Sequence, residues 1–310
     1  MTGESGILGS IGSTPLVELR RLVPRGSARV LVKLESQNPT GSMKDRMALA
    51  VIAGAVSHGK LVPNGTVIEY TGGSTGTSLA FVCAAFGYRV TLVTSDAFSR
   101  EKRDHMRALG ASVIELPSEG GRTTKDLIQR MIAKAAELSA FPNSFFVDQF
   151  NNPDAAAGYG PMADEMWEQS GGLDAFVQSV GTAQCITGAA RVLRQRNKEI
   201  IVAAVEPAES PVLSGGAPGA HEIEGVGPGF VPPIWNPGIA DEVIQVSSAE
   251  AKTMARRLAK EEALFAGTST GANIAAALHI AARLGAGRTV ATVACDTGLK
   301  YMSTSLYSSA

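Results

Sequence analysis

The sequence predicts an α/β protein with parallel sheets and helices on both faces of each sheet. The prediction rests first on alternation, because short apolar, strand-like runs alternate with longer runs of helical pattern along the whole chain. It rests also on the loops between them. Several strand-like runs end in loops rich in Gly, Ser or Thr, and ligands bind at the carboxyl ends of strands in such folds.

The first half of the chain is a series of strand–helix units. Its predicted strands are short apolar runs at 30–35, 66–70, 89–95, 111–116 and 144–150. The segments between them have the helical pattern, and the predicted helices are 47–56, 77–86, 99–109 and 123–138.

The second half repeats this rhythm. The predicted strands are 175–180, 200–205, 242–246 and 289–294. The predicted helices are 153–169, the segment from 185 to 196, 249–264 and 270–284. The stretch 210–238 is irregular and rich in Gly and Pro, and a loop of that length in a compact protein is usually functional or mobile.

The composition excludes several functional classes. The 310 residues carry a net charge of −1, with 45% hydrophobic and 18% charged residues, which is typical of a soluble globular protein. A basic excess for nucleic acid is missing, as is a basic amphipathic helix for a membrane surface. We therefore expect neither nucleic-acid nor membrane partners.

The cysteines and the N-terminal residues indicate a cytoplasmic protein. Cys83, Cys185 and Cys295 lie far apart and form no C-x-x-C pair, so we expect no disulfide framework and no zinc site. The histidines have no metal-ligand spacing, so no metal is expected. Residues 1–10 lack the basic and apolar regions of a signal peptide.

The segment 38–46, Asn-Pro-Thr-Gly-Ser-Met-Lys-Asp-Arg, connects the first strand to the first long helix. Asn-Pro and Thr-Gly form turns and Ser42 is a good N-cap, so Lys44 should lie in the first helical turn. The positive helix dipole disfavours an ammonium there, and desolvation would lower the pKa of Lys44 further. Free amine is what Schiff-base chemistry requires. By position alone, an ordinary surface lysine is the commoner interpretation.

Other loops have weaker signals. The loop 181–185 follows a strand and opens a helix, so its N–H groups could bind a phosphate, although a tight turn explains it equally well. The loop 71–75 could bind a carboxylate or serve as a capping cluster. After the last strand, alternation places Asp296 and Thr297 on opposite faces, so one of them is a candidate to face a bound ring.

Taken together, these segments resemble the cysteine synthase (O-acetylserine sulfhydrylase) family. This family includes cystathionine β-synthase and consists of pyridoxal-phosphate enzymes of fold type II. The resemblance extends from Ile11 to Thr304. Its most specific matches are the segments 38–46, 148–153, 224–230 and 267–272.

The resemblance implies the architecture. Two open, twisted α/β domains of the tryptophan synthase β type would hold the cofactor in the cleft between them. The smaller domain, 45–148, would be mobile and close on the substrate, and the larger would comprise 1–44 plus 149–310. The resemblance also implies a homodimer.

The resemblance further implies roles for individual residues. Lys44 would carry the internal aldimine to pyridoxal 5′-phosphate, and Thr297 would meet the pyridine nitrogen. The cofactor phosphate would be held by Gly181, Thr182, Ala183, Gln184 and Cys185. Ser74 would approach both the O3′ of the ring and the substrate. The other residues around the substrate would be Thr71, Gly72, Thr75, Gln149 and Gly225.

Two loops differ from the usual family pattern. The family's Thr-Ser-Gly-Asn-Thr-Gly is Thr-Gly-Gly-Ser-Thr-Gly at 71–76, so one amide has become a hydroxyl and one hydroxyl is missing. The phosphate loop Gly-Thr-Gly-Gly-Thr is Gly-Thr-Ala-Gln-Cys at 181–185, which keeps the backbone donors but loses one hydroxyl.

The implied reaction is β-replacement on an O-activated L-serine (O-acetylserine or O-phosphoserine) with sulfide, giving L-cysteine through a Lys44 aldimine and an α-aminoacrylate. The altered 71–76 loop leaves alternatives open. The nucleophile could be homocysteine, as in cystathionine β-synthase, or ammonia, which gives 2,3-diaminopropionate. The outcome could also be cysteine desulfhydration, or the chain could be a non-catalytic regulatory relative that docks a partner peptide.

Overall fold

Two sheets organise the computed structural model, which describes residues 6–121 and 124–308. The strands of the first half of the described chain are β1 (Leu16–Glu18), β2 (Arg29–Lys33), β3 (Thr66–Tyr70), β4 (Arg89–Ser95), β5 (Ser112–Leu116) and β6 (Ser144–Phe146). Those of the second half are β7 (Ala175–Ser179), β8 (Ile201–Pro207), β9 (Glu242–Val246) and β10 (Thr289–Val293).

The α-helices flank these sheets. Up to residue 157 they are α1 (Lys44–Ser57), α2 (Ser74–Phe86), α3 (Arg100–Ala108), α4 (Lys125–Ser139) and α5 (Pro153–Ala157). Beyond it they are α6 (Gly160–Ser170), α7 (Gln184–Arg196), α8 (Ser248–Glu261) and α9 (Thr268–Leu284).

The strand order is different in the two sheets. The six-stranded sheet has the order β1-β2-β10-β7-β8-β9, and all its neighbours are parallel except β1 and β2. The four-stranded sheet has the order β5-β4-β3-β6 and is parallel throughout. Every residue of β7 and β10 is buried, as expected for parallel strands covered on both faces. The predicted α/β class is confirmed.

The two sheets use separate parts of the chain. All four strands of the smaller sheet lie between residues 66 and 146, inside the predicted smaller domain. The larger sheet takes its strands from both sides of that segment. In the larger sheet β10 lies between β2 and β7, so the carboxyl ends of three strands, distant in sequence, lie side by side.

Most element boundaries agree with the prediction to within a few residues, but β1 was not predicted as a strand and two predicted elements differ. The strand predicted at 144–150 ends at Phe146, since Asp148 has a left-handed φ of 49° and turns the chain. The helix predicted at 153–169 is split into α5 and α6. Pro161 explains the split, because proline cannot continue the hydrogen bonds of a preceding helix. The predicted start of α4 at Thr123 lies outside the described residues.

Candidate functional site

A cavity of about 490 Å³ is lined by loops that follow strands of both sheets. Lys44 is the first residue of α1 and lines this cavity. The N-cap is Met43, and Ser42, which was predicted to cap the helix, accepts a hydrogen bond from the Lys44 N–H instead (3.2 Å). The Met43 N–H donates to the carbonyl of Cys295 (2.9 Å), which ties this helix start to the end of β10.

Desolvation lowers the pKa of Lys44, and the nearby Cys185, Cys295 and Asp296 oppose this shift more weakly. The side chain is partly accessible only because it lines the cavity, and protein surrounds it. A lysine with a lowered pKa holds more of its amine in the neutral, nucleophilic form. The electrostatics therefore agree with the chemistry expected for Lys44 from the sequence.

A buried ionic network fixes the helix that begins at Lys44. The guanidinium of Arg46 donates to Glu35 (2.7 and 2.9 Å) and to Glu165 (2.7 and 2.8 Å). The ammonium of Lys33, at the end of β2, also pairs with Glu165 (2.6 Å). These contacts connect β2, α1 and α6, so the position of Lys44 follows from buried charges that are fully paired.

The loop 71–76 is organised around one hydroxyl. Thr71 Oγ1 accepts from the N–H groups of Gly73 (2.9 Å) and Gly76 (3.0 Å). Because α2 begins at Ser74, the N–H groups of Ser74 and Thr75 are left without partners inside the helix and can bind an anion. The cavity wall includes all the residues of this loop that were predicted to contact substrate, namely Thr71, Gly72, Ser74 and Thr75.

Several predicted substrate ligands already have protein partners. Thr75 donates its hydroxyl proton to Gln149 Oε1 (2.9 Å), and Gln149 Nε2 donates to the carbonyl of Tyr70 (3.0 Å). Ser74 donates to Asp296 Oδ2 (3.1 Å). Gln149 lines the cavity, but its amide is engaged at both ends. The donors left in this loop are thus the Thr71 hydroxyl and the backbone N–H groups.

The loop 181–185 forms a second helix N-terminus at the cavity. Ala183 is the N-cap of α7 and has a left-handed φ of 63°. In the described part of the chain, the N–H groups of Gln184, Cys185 and Ile186 donate to no protein acceptor. Gly181 lies so close to Gly225 that an added Cβ would be 2.3 Å from its carbonyl oxygen. The result is an anion cradle built from backbone donors.

The predicted phosphate-loop residues are not equally placed in this cradle. Gly181, Thr182, Ala183 and Cys185 line the cavity, and so does Gly225. The Gln184 side chain points away from the cavity, because its Nε2 donates to the carbonyls of Gln149 (3.0 Å) and Asn152 (3.1 Å). Only the backbone of Gln184 is available to the cradle.

The structure does not support the role predicted for Thr297. This residue caps the short 3-10 helix Gly298–Tyr301, where its hydroxyl accepts from the Leu299 N–H, and it is not part of the cavity wall. Asp296 lines the cavity instead, since the two residues project to opposite sides. Ser269, near the start of α9, supplies the neutral hydroxyl in the wall beside Asp296 and Cys295.

Other lining residues were not predicted as site residues. Lys102 of α3 forms an ion pair with Glu224 (2.5 Å) and lies 4.3 Å from the centre of the Tyr301 ring. All three residues line the cavity. Glu224 and Tyr301 fall in segments that carried the family resemblance, but Lys102 lies in the charged run Arg-Glu-Lys-Arg, which has the pattern of a solvated helix. Only the packing of α3 places it at the cavity.

The described residues contain no helix that is long and apolar enough to cross a membrane. In the same residues no group of three or more His, Cys, Asp or Glu side chains is arranged to hold a metal ion.

Comparison with known proteins places the chain in a family. The model of the family described as pyridoxal-phosphate dependent enzyme matches residues 7–296. A cysteine synthase of Staphylococcus aureus is 43% identical in an alignment 304 residues long, and the alignment covers 96% of this chain and 95% of that protein.

Solved structures of similar proteins support the same family assignment. A cysteine synthase of Entamoeba histolytica superimposes with a TM-score of 0.90 at 37% identity and covers 98% of this chain and 90% of its own. An O-acetylserine dependent cystathionine beta-synthase from Helicobacter pylori gives a TM-score of 0.91 at 36% identity, covering 99% of this chain and 100% of its own. With a desolvated lysine, an anion cradle and these matches in view, the chain belongs to the family of pyridoxal-phosphate dependent enzymes.

Proposed function

We propose that this chain makes L-cysteine by pyridoxal-phosphate-dependent β-replacement, with an O-activated L-serine and sulfide as substrates. The observation that carries the proposal is Lys44, a desolvated amine at the start of α1 that faces the anion cradle of α7 across one cavity. The 43% identity to a cysteine synthase over nearly the whole chain supports the same reaction.

The residues of the cavity fit the cofactor. The N–H groups at the start of α7, with the Thr182 hydroxyl, would hold its phosphate. Lys44 would hold its aldehyde carbon, and Ser269 would take the ring contact first expected of Thr297. When bound, pyridoxal phosphate supplies an electron sink for the substrate's α-carbon.

The chain's own residues supply orientation and proton transfer. The N–H groups of Ser74 and Thr75 and the Thr71 hydroxyl would orient the substrate carboxylate. The Lys44 amine would take the proton from the α-carbon and return it after sulfide has replaced the leaving group at the β-carbon. Tyr70 and Phe150, with ring centres 6.2 Å apart, line the cavity and make part of its wall apolar.

The test is a product assay combined with a spectrum. Purified holoenzyme should change its cofactor absorbance with O-acetylserine or O-phosphoserine, and sulfide should restore the spectrum and release L-cysteine. Lys44→Ala should lose product formation by at least about a thousandfold, because it removes the proton-transferring amine. Lys60→Ala, an exposed lysine just beyond the same helix, should retain wild-type activity.

Other outcomes would redirect the assignment. Restoration of the spectrum by homocysteine or ammonia, but not by sulfide, would replace cysteine synthesis with another β-replacement. Release of sulfide from cysteine without net synthesis would indicate a desulfhydrase. Binding of a peptide without turnover would indicate a regulatory relative.

The proposal extends to assembly and location. We infer a homodimer from the family resemblance, so light scattering should give about twice the 32.1 kDa chain mass. The three cysteines are all unpaired and buried, which supports a reducing compartment such as the cytoplasm. The smaller domain 45–148 is proposed to close on the substrate as a unit, and docking of a partner peptide at the cavity stays a prediction.

A further inference from the structure

We propose that Lys102 is the charge partner of the substrate's α-carboxylate, and that Glu224 holds this lysine until the carboxylate displaces it. The inference rests on the proposed function, since it says how the same site recognises an amino acid. It adds a specificity-determining residue on α3, outside the loop 71–76.

The loop 71–76 offers a substrate carboxylate only neutral donors. Thr75 and Ser74 give their hydroxyl protons to Gln149 and Asp296, and the Gly73 and Gly76 N–H groups are held by Thr71. The donors that remain are the Thr71 hydroxyl and the backbone N–H groups of Gly72, Ser74 and Thr75, and all of them are neutral. A positive charge beside these donors would stabilise a carboxylate taken out of water further.

Few lysines in the cavity wall could balance the charge of a carboxylate. The lysines in the cavity wall are Lys44, Lys102 and Lys125. The pKa of Lys44 is lowered and its amine is needed at the α-carbon, while Lys125 is exposed at the start of α4. Lys102, only 4% exposed, is the buried lining lysine that is left to balance a carboxylate.

Lys102 lies next to the loop 71–76. The stem of Lys102 packs directly on the loop, because a Cβ added at Gly73 would lie 2.3 Å from Lys102 Cδ and 2.9 Å from its Cβ. Gly73 also has a φ of 137°, which other residues rarely adopt. Glycine at this position therefore lets a cation approach the start of α2, where the free N–H groups lie.

The exchange of partners follows from unequal burial. Lys102 is almost fully buried, so its ammonium is stabilised by an anionic partner, and in this structure that partner is Glu224. The Glu224 side chain is 28% exposed and can turn toward solvent. Its backbone N–H donates to Thr268 (3.1 Å), which anchors the main chain while the side chain moves.

The experiment compares two ligands that differ by one charge. The holoenzyme and its variants are titrated with L-serine and with L-serinamide, which lacks the carboxylate, and dissociation constants are read from the cofactor absorbance. Lys102→Met should weaken L-serine about tenfold and leave L-serinamide within about twofold, as expected for loss of a hydrogen bond to a charged group. Lys102→Arg, which keeps the charge, should recover most of the affinity for L-serine.

The Glu224→Gln variant tests whether the substrate carboxylate displaces Glu224 from Lys102 or the ion pair is permanent. If Glu224 competes with the carboxylate, this variant should bind L-serine more tightly than the wild type. Lys134→Met is the matched control, because Lys134 of α4 also forms an ion pair, with Glu137 at 2.6 Å. This variant should bind both ligands with wild-type affinity.

Three results would overturn the inference. Equal weakening of both ligands by Lys102→Met would make Lys102 a structural residue. Weaker L-serine binding in Glu224→Gln would mean that the ion pair is permanent and structural. Failure of the wild type to bind L-serine would mean that the proposed carboxylate site does not exist. Absence of cysteine synthesis with the predicted ligand discrimination intact would refute only the proposed function. If Lys102→Met does not fold, the L-serine affinities of Lys102→Arg and Glu224→Gln still test whether Lys102 binds the carboxylate.

Discussion

Glu69, in β3, is a carboxyl group buried completely beneath the site. Its oxygens accept from the N–H groups of Tyr70 (2.9 Å) and Gln149 (3.1 Å). Desolvation raises its pKa to about 8, although these hydrogen bonds favour the charged form. The protonation of one buried side chain thus bears on Gln149 and on the cavity wall.

The sign of this shift predicts a pH dependence of stability. Between the ordinary value of 4.5 and about 8, the folded state binds a proton at Glu69 that the unfolded state releases. The free energy of unfolding should therefore fall as pH rises through that window, by up to about 1.4 kcal/mol per pH unit. Thermal unfolding of Glu69→Gln should have a flatter pH profile, whereas the exposed Glu137→Gln should follow the wild type. Identical slopes in all three proteins would contradict the assignment.

The second prediction for a single residue concerns the contribution of Arg46 to stability. Arg46→Met would leave Glu35, which has no exposed side-chain surface, without its charge partner. The expected loss of stability is about 3–5 kcal/mol, as for other buried pairs that lose one member. Denaturant unfolding measures it, with Arg257→Met as the control because that surface pair with Glu261 should contribute under about 1 kcal/mol. A small loss in both variants would mean that the network is not stabilising.

At the scale of elements, the N-terminus of α7 depends on close approach to the loop that contains Gly225. A methyl group at Gly181 would lie 2.3 Å from the Gly225 carbonyl oxygen, so Gly181→Ala must displace one side of the anion cradle. We expect the affinity for pyridoxal phosphate to fall about tenfold or more, with the fold retained. Equilibrium dialysis of the apoprotein measures this change.

A matched substitution is available on a helix outside the cavity wall. A Cβ at Gly160 would meet Val192 at 3.6 Å, which is an ordinary contact, so Gly160→Ala should bind the cofactor like the wild type. Unchanged affinity in Gly181→Ala would show that the cradle tolerates displacement and that its geometry is not what holds the phosphate.

At the scale of the whole molecule, the two sheets share one apolar core, which includes Val67 and Leu92 of the smaller sheet and Phe176 and Val202 of the larger, and polar contacts add to it. One of them joins α3 to the C-terminal segment, where the N–H and hydroxyl of Ser303 donate to Glu101 (2.9 and 2.7 Å). Polar contacts of this kind can break and form again while the shared apolar core holds the two sheets together. This arrangement is compatible with closure of the smaller domain on the substrate.

Closure predicts a localised change in hydrogen exchange. L-Serine added to the holoenzyme should slow amide exchange in α2, α3 and the loop 71–76 more than in the central strands β7 and β10, since the cavity rim would be withdrawn from water. D-Serine is the control ligand, because it cannot place its carboxylate and β-carbon on the same contacts. Protection spread evenly over both sheets would argue against movement of one domain.

Local sequence pattern was sufficient for much of the architecture. The alternation of strand and helix depends on periodicity, which neighbouring residues define, and so the α/β class and most elements could be predicted. Lys44 could be placed at a helix start because turn formers precede it within the same short segment, although Ser42 does not cap the helix as predicted. The anion-binding loops could be located for the same reason, as each directly joins a strand to a helix.

The composition of the cavity depended on contacts between distant segments. Asp296 and Ser269 line it and Thr297 does not, because the position of β10 between β2 and β7 decides which side of the last loop faces inward. Lys102 is buried by the packing of α3 against Gly73 and Tyr301, although its local sequence has the pattern of a solvated helix. Periodicity defines where each chain segment bends and which of its faces is apolar, but only the assembled sheets determine which side chains share one cavity.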